Sequence, residues 1–204
     1  MTDYLTFALT VFTGFFAIMN PIANTPIFLG LVEGTTLDTQ KKIALTSTLT
    51  AFIIVATFVI LGKYIFGLFG ITIPAFKITG GILIFHVGFD MLMSQKSKIH
   101  STRLEDSDND IAISPLAIPI LAGPGTIVTA MNYTTHATYI NVAIVIFTFA
   151  LMTFLTYLAF IFSNKIIEKV GNHLIAVVGK IMGLILAIIG TGMITEGIKL
   201  SFNL

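Results

Sequence analysis

The sequence predicts an all-α membrane protein with six transmembrane segments, arranged as two inverted three-helix repeats in which segments 1 and 4 are discontinuous. Composition is the first observation behind this prediction. Hydrophobic residues make up 55% of the 204 residues and charged residues only 10%, whereas soluble domains carry about 25% charged residues. The second observation is a set of long uncharged runs, and the third is a repeat of motifs between the two halves. Because the formal net charge is only +1, we expect no nucleic-acid partner.

Four runs have the length of ordinary spanning helices. A hydrocarbon core about 30 Å thick needs roughly 20 residues of α-helix. Residues 43–61 and 142–162 contain no charge, while residues 74–93 and 174–198 carry ionisable side chains near their ends. We predict one transmembrane helix in each run, with the lipid bilayer as its surroundings.

Two further uncharged stretches, residues 4–32 and 111–141, are too long for one straight span. A continuous helix over either would exceed about 40 Å. They contain five of the six prolines, and proline inside a helix costs about 3 kcal/mol or more unless the backbone is broken there. We therefore predict that segments 1 and 4 are interrupted, one at Asn20-Pro21 and the other at Gly123-Pro124.

An internal repeat connects the two halves. A shift of 103 positions superposes three pairs of features: Asn20-Pro21 on Gly123-Pro124, Lys77 on Lys180, and Gly80 on Gly183. The predicted organisation is a first three-helix repeat over residues 1–93, a cytoplasmic acidic linker over 94–110 and a second three-helix repeat over 111–204. Because three spans are an odd number, the second repeat enters the membrane from the opposite side. Inverted repeats with broken helices are typical of secondary transporters; the alternative is that these prolines only kink helices for packing.

The distribution of basic residues predicts the orientation. Seven lysines and arginines fall in one set of predicted loops, and two fall on the other side: Lys41, Lys42, Lys96, Lys98, Arg103, Lys165 and Lys169 against Lys63 and Lys199. Since cytoplasmic loops carry the excess of basic residues, both termini are predicted to be periplasmic or extracellular.

The first break offers neutral polar groups, and its candidate substrate-binding residues are Asn20, Pro21, Asn24 and Thr25. The prolines leave backbone carbonyls without donors. Asn20 and Asn24 are four residues apart, so in a helical stretch their amides point from one face. Those amides either bind a ligand or repair the break, and the two roles are compatible.

The second break offers mainly backbone, and its candidate substrate-binding residues are Gly123, Pro124, Gly125 and Thr126. Glycine lets a ligand approach the chain closely. Backbone amides at the start of the following half-helix favour an anionic group such as a carboxylate. Thr126 adds a hydroxyl.

Ionisable residues within the spans are further candidates. His86 and Asp90 are four residues apart and form a candidate proton relay, although Asp90 lies close enough to the helix end to be simply solvated. Lys77 and Lys180 are better explained as interfacial anchors. The sequence contains no catalytic, metal-binding or phosphate-cradling motif and no cysteine, so we expect neither an enzyme nor a bound cofactor.

Two motifs resemble the MarC family over nearly the whole chain: Asn20-Pro-Ile-Ala-Asn24-Thr-Pro26-Ile-Phe-Leu29 and Pro115-Leu-Ala-Ile-Pro119-Ile-Leu-Ala-Gly-Pro124-Gly-Thr-Ile127. Residues 75–81 and 180–183 also fit that family. One departure is Ala23, where the family usually has glycine. The resemblance implies a six-span protein of the cell inner membrane and, as substrates, small neutral amino acids such as alanine and glycine.

The expected function is therefore secondary transport of a small zwitterionic amino acid bound between segments 1 and 4. The neutral amides and backbone dipoles of the two breaks suit such a ligand. A proton or sodium ion is the expected coupling ion, and homo-oligomers are compatible with the sequence. The alternative function is that of a non-transporting membrane scaffold or regulatory partner, with a channel as a weaker third hypothesis.

Overall fold

The computed structural model describes residues 2–93, 116–117, 121–134 and 137–202. The predicted linker over residues 94–110, together with Pro115 and Pro119, lies outside this described part. Within it the chain forms eight α-helices and no β-strand, in agreement with the predicted all-α class. The helices are α1 Thr2–Met19, α2 Thr25–Leu31, α3 Leu37–Phe69, α4 Ile73–Met93, α5 Pro124–Thr134, α6 Tyr139–Ile161, α7 Ser163–Val170 and α8 Asn172–Phe202.

Four of the described helices are long and apolar enough to cross a membrane. Their apolar portions are Leu37–Gly62, Ile73–Met93, Tyr139–Ile161 and His173–Phe202. Each contains or closely overlaps one of the four uninterrupted runs found in the sequence. The prediction of an all-α membrane protein with four ordinary spanning helices is thereby confirmed.

Helix ends differ from the predicted boundaries because capping residues extend the helices beyond the uncharged runs. Thr36 accepts a hydrogen bond from the Thr39 amide (3.3 Å) and begins α3 well before residue 43, while Gly70 ends it with φ 61°. Thr138 accepts likewise from Asn141 and begins α6 at Tyr139. Residues 139–141, assigned to segment 4 from sequence, therefore belong to α6.

Most of the lysines counted as loop residues lie within helix ends instead. Lys41, Lys42 and Lys63 fall in α3, and Lys199 falls in α8. Lys165 and Lys169 belong to the short polar helix α7, which the sequence analysis missed. Lysine has a high helix propensity, so a helix continues through it past the edge of an apolar run.

Helices α4 and α8 pack antiparallel along a seam of glycines. A Cβ atom added to Gly81 would lie 2.6 Å from the Gly190 carbonyl oxygen, and one added to Gly88 would lie 2.5 Å from the Gly183 carbonyl oxygen. Backbone approach this close excludes any side chain, as at other membrane helix interfaces with small residues.

The other helices form a larger core. Helices α1, α2, α3, α5 and α6 share one cluster of buried apolar side chains, in which aromatic pairs fix the contacts. Phe28 of α2 stacks on Phe160 of α6 with ring centroids 4.4 Å apart, and Phe15 of α1 meets Phe149 of α6 at 4.8 Å. Met19 and Ala122, which directly precede the two predicted breaks, belong to this core.

Candidate functional site

The helix α1 ends because Asn20 adopts a left-handed backbone. Its φ is 36°, the one positive value among the described residues other than glycine. Asparagine tolerates this region better than most L-residues and often ends helices in this way. Pro21 follows and cannot continue the helix. Residues 20–24 then form a turn before α2 begins at Thr25.

The side chains in and next to this turn form hydrogen bonds with the backbone of the same segment. The Asn24 side-chain amide donates to the Met19 carbonyl oxygen at 2.7 Å, and the Ala23 backbone amide donates to Asn20 Oδ1 at 3.3 Å. The Thr25 hydroxyl donates to the Ile22 carbonyl oxygen at 2.7 Å. These bonds satisfy groups that the interrupted helix leaves open, so the repair role foreseen for the two asparagines is present.

One donor of the turn stays unsatisfied. Asn20 is 1% exposed, and its buried Nδ2 atom has no hydrogen-bond partner among the residues that the structure describes. A buried polar group in this state is costly. The Nδ2 atom of Asn24, by contrast, donates its hydrogen bond to the Met19 carbonyl oxygen. The two asparagines, equivalent in the sequence analysis, therefore differ in what they offer to a ligand.

The second break consists of small residues and backbone. The Ala122 amide donates to the Ala117 carbonyl oxygen at 2.8 Å, five residues back, which is a π-type turn. Gly123 is buried and lies outside regular structure, and α5 starts at Pro124. The first amides of a helix lack acceptors within that helix, so the start of α5 presents backbone donors here.

Contacts between α1 and α5 bring the two breaks together. A Cβ added to Gly125 would lie 2.7 Å from Cδ1 of Ile18, two residues before Asn20. Farther along, the Tyr133 hydroxyl donates to the Thr10 carbonyl oxygen at 3.3 Å. The two helices therefore run antiparallel, with the carbonyl end of α1 beside the amide end of α5.

The depth of the second break follows from its contact with α4. The same added Cβ would lie 3.9 Å from Ile84, which is one residue past the middle of the 21-residue α4. In a spanning helix this position corresponds to the centre of the bilayer. The same contact shows that Gly125 lacks a side chain because α1 packs against it, a role the sequence analysis did not assign.

Buried hydroxyls line the following turn of α5. Thr126 and Thr129 are both buried, and in the described part of the chain the Thr129 hydroxyl has no hydrogen-bond partner. Sequence analysis named Thr126 but missed Thr129, although their spacing of three residues places them on one helix face.

His86 and Asp90 lie away from the breaks. They form a contact of 3.4 Å between Nε2 and Oδ2, and their side chains are 71% and 61% exposed. Ile84, which faces Gly125, is fully buried on another side of α4. The two side chains named as a candidate relay are therefore in contact, on the outward face of the helix.

The sequence analysis also missed an ion pair between Lys77 of α4 and Glu196 of α8. Lys77 is 8% exposed, so its side chain is buried between helices and does not reach the interface as the predicted anchor would. Antiparallel packing of α4 and α8 joins residues 119 positions apart, and no local sequence pattern indicates such a contact.

Comparison with known proteins identifies the family. Residues 5–202 match the sequence pattern of the MarC family integral membrane proteins. The chain belongs to the MarC family. It is 40% identical over 199 residues to the UPF0056 membrane protein YvbG of Bacillus subtilis, covering 95% of this chain and 94% of that protein.

Other MarC-type relatives extend to archaea. A UPF0056 membrane protein of Pyrococcus abyssi is 39% identical over 202 residues, covering 98% of this chain and 97% of the relative. One from Pyrococcus horikoshii is 38% identical over 197 residues, covering 95% of each. No solved structure matches the chain. The resemblance carried by the two proline motifs is confirmed, and this MarC protein is an integral membrane protein.

Proposed function

We propose that this MarC family protein is a secondary transporter of small neutral amino acids of the alanine and glycine type. Its substrate binds between the breaks at Asn20-Pro21 and Gly123-Pro124. The observation that carries the proposal is the meeting of the end of α1 and the start of α5 at mid-bilayer depth, with the buried Asn20 Nδ2 lacking a partner among the described residues. Half-helix ends near the midplane are where secondary transporters bind their substrates.

The architecture proposed is six segments in two inverted repeats, with segments 1 and 4 discontinuous. The glycine seam supports it. A shift of 102 positions carries Gly81 onto Gly183 and Gly88 onto Gly190, and the contacts pair Gly81 with Gly190 and Gly88 with Gly183. Such reciprocal pairing between antiparallel helices is what a two-fold axis in the membrane plane produces. This shift differs by one from the 103 positions that relate the breaks.

Opposite helix ends suit the two charges of a zwitterion. A helix carries partial negative charge at its carbonyl end and partial positive charge at its amide end. The substrate ammonium group would face the end of α1 near Asn20, and its carboxylate would face the first amides of α5 near Gly125 and Thr126. The Asn20 Nδ2 group would donate to the same carboxylate.

The interior favours a substrate with an uncharged side chain. Buried polar residues in the described part of the chain are neutral asparagine, serine and threonine, except for Lys77, which Glu196 neutralises. A buried lysine or glutamate side chain on the substrate would have no counter-charge there and would pay for its desolvation.

We place the protein in the cell inner membrane as a multi-pass protein, with both termini periplasmic or extracellular and the linker cytoplasmic. Seven basic residues against two support this orientation. The chain has no cysteine, so a single cysteine at Ser101 reports the side of the linker. An impermeant thiol reagent should fail to label it in intact cells, and rapid labelling would reverse the orientation.

Flux in liposomes tests the function. Purified protein should exchange labelled alanine against internal alanine or glycine, while lysine and glutamate should not compete. Imposed proton and sodium gradients, applied separately, identify the coupling ion. Folded protein without flux under any gradient would reject transport and favour the scaffold or regulatory role.

A further inference from the structure

We propose that the outward face of α4 and α8 binds a second copy of this chain in the membrane, forming a two-fold dimer. This dimer face comprises the exposed residues Ile82, His86, Phe89, Asp90 and Met93 of α4 and Val177, Lys180, Leu184, Ile188, Thr191 and Thr195 of α8. The proposal is independent of the transported substrate.

The first argument is that a polar pair points outward at membrane depth. His86 lies three residues past the middle of the 21-residue α4, about 5 Å along the helix axis. Its side chain is 71% exposed, and that of its partner Asp90 is 61% exposed. Ionisable residues within spans usually face protein or a water-filled cavity because lipid solvates them poorly. A protein neighbour on this face would remove the pair from lipid.

The second argument is that α4 and α8 are the least buried of the four spanning helices. Only 28% of the most apolar stretch of each of these two helices is buried inside the chain, against 39% of the corresponding stretches of α3 and α6. A shallow groove of about 680 Å³ also opens on this side, lined in part by Phe85, Thr191, Gly192 and Thr195. A Cβ added to Gly192 would meet nothing within 4 Å, so another helix can approach there.

Charge complementarity identifies a second copy as the occupant. The pairing of Gly88 with Gly183 and of Gly81 with Gly190 sets the register of α4 and α8. In that register Asp90 is level with residue 181, next to the exposed Lys180. A two-fold axis along the membrane normal places α4 of one copy against α8 of the other without changing depth. Asp90 of each copy then faces Lys180 of its partner, which makes the surface complementary to itself.

Cysteine cross-linking in membranes tests the contact directly, since the chain has no native cysteine. Two differently tagged chains, one with Met93→Cys and one with Val177→Cys, are produced together. Both positions are exposed at nearly equal depth on α4 and α8, so oxidation should yield a disulfide-linked species carrying both tags. The matched control pairs Met93→Cys with Phe154→Cys, an exposed residue of α6 outside the dimer face, and should yield no disulfide-linked product carrying both tags.

Exchange of the two charges provides a second test. Its readout is the dissociation constant of the dimer in lipid nanodiscs, obtained from the molecular mass of the embedded protein or from the number of labels per disc. Asp90→Lys alone and Lys180→Asp alone should each weaken the dimer roughly tenfold or more, because each places like charges across the interface. The combined variant should restore the dimer. A monomeric parent, or cross-linking of the control pair as strong as that of the test pair, would overturn the proposal. Cross-linking to another protein with no product carrying both tags would also overturn it.

Discussion

The first break ends a helix and the second precedes one, and the two are built by different means. At the first, Asn20 takes the left-handed backbone, and the side chains of Asn24 and Thr25 bond to backbone carbonyl oxygens. At the second, a π-type turn and Gly123 precede a helix that opens with Pro124, and polar side chains play little part. One break therefore contributes a side-chain donor, and the other contributes backbone amides. In the proposed site, two unlike helix ends therefore supply different groups to one substrate.

The largest effect is expected at the second break, from Gly125→Val. The new side chain would press on Ile18, whose Cδ1 atom lies 2.7 Å from the added Cβ position. Overpacking of this kind costs about 1–3 kcal/mol. Because Gly125 belongs to the proposed site, the same strain in the substrate-bound protein should lower alanine flux roughly tenfold or more. The measurements are flux in liposomes and the free energy of unfolding in detergent.

Two companion variants show whether packing is the cause. Gly125→Val combined with Ile18→Ala should recover most of the lost stability and part of the flux, because the alanine makes room. Gly67→Val, at a position with nothing within 4 Å of an added Cβ, serves as the matched control. If Gly125→Val alone folds and transports like the parent, contact between α1 and α5 does not shape the site.

At the first break, Asn24→Leu should mainly reduce stability. The change removes the 2.7 Å hydrogen bond to the Met19 carbonyl oxygen, and an unsatisfied buried acceptor costs about 1–3 kcal/mol. Denaturant unfolding in detergent measures the loss. Asn164→Leu, at an exposed residue of α7, should change stability by no more than about 0.5 kcal/mol. Equal stability of the two variants would show that the hydrogen bond does not hold the break.

A smaller effect separates the backbone of Asn20 from its side chain. Asn20→Gly and Asn20→Ala both delete the amide, but only glycine adopts φ 36° without strain. The alanine variant should be less stable than the glycine variant by about 1 kcal/mol. The same unfolding measurement applies, and equal stabilities would mean that the left-handed backbone is not required to end α1.

Much of the fold could be predicted from sequence because apolar length is a local property. The four uninterrupted spans follow from uncharged runs such as residues 43–61, which lies inside α3. Helix ends were harder to place, since Thr36 and Thr138 act through capping bonds that a count of apolar residues ignores. The amphipathic α7 was missed because it is short and polar, and it resembled a loop.

The candidate site was predictable in its location but not in its detail. Asn20 and Pro21 mark the first break because a proline inside a long apolar run interrupts the helix. Both asparagines repair the break, and which of them keeps a free donor depends on three-dimensional geometry: among the described residues, Asn24 Nδ2 has a partner and Asn20 Nδ2 has none. The Lys77–Glu196 pair and the packing of Gly125 against Ile18 join distant parts of the chain, so no local pattern reveals them.

Equilibrium binding of labelled alanine to purified protein tests most directly whether the two breaks together form one binding site for a small neutral amino acid. The decisive variant is Asn20→Gly, which allows the same left-handed backbone and removes the Nδ2 donor together with the Oδ1 acceptor of the Ala23 amide. A hydrogen bond to a charged ligand group contributes about 1.5–3 kcal/mol, so affinity should fall roughly tenfold or more. Unfolding should first establish that the variant is folded. The account predicts this loss for alanine and glycine alike, and a folded Asn20→Gly protein that binds both as tightly as the parent would contradict it.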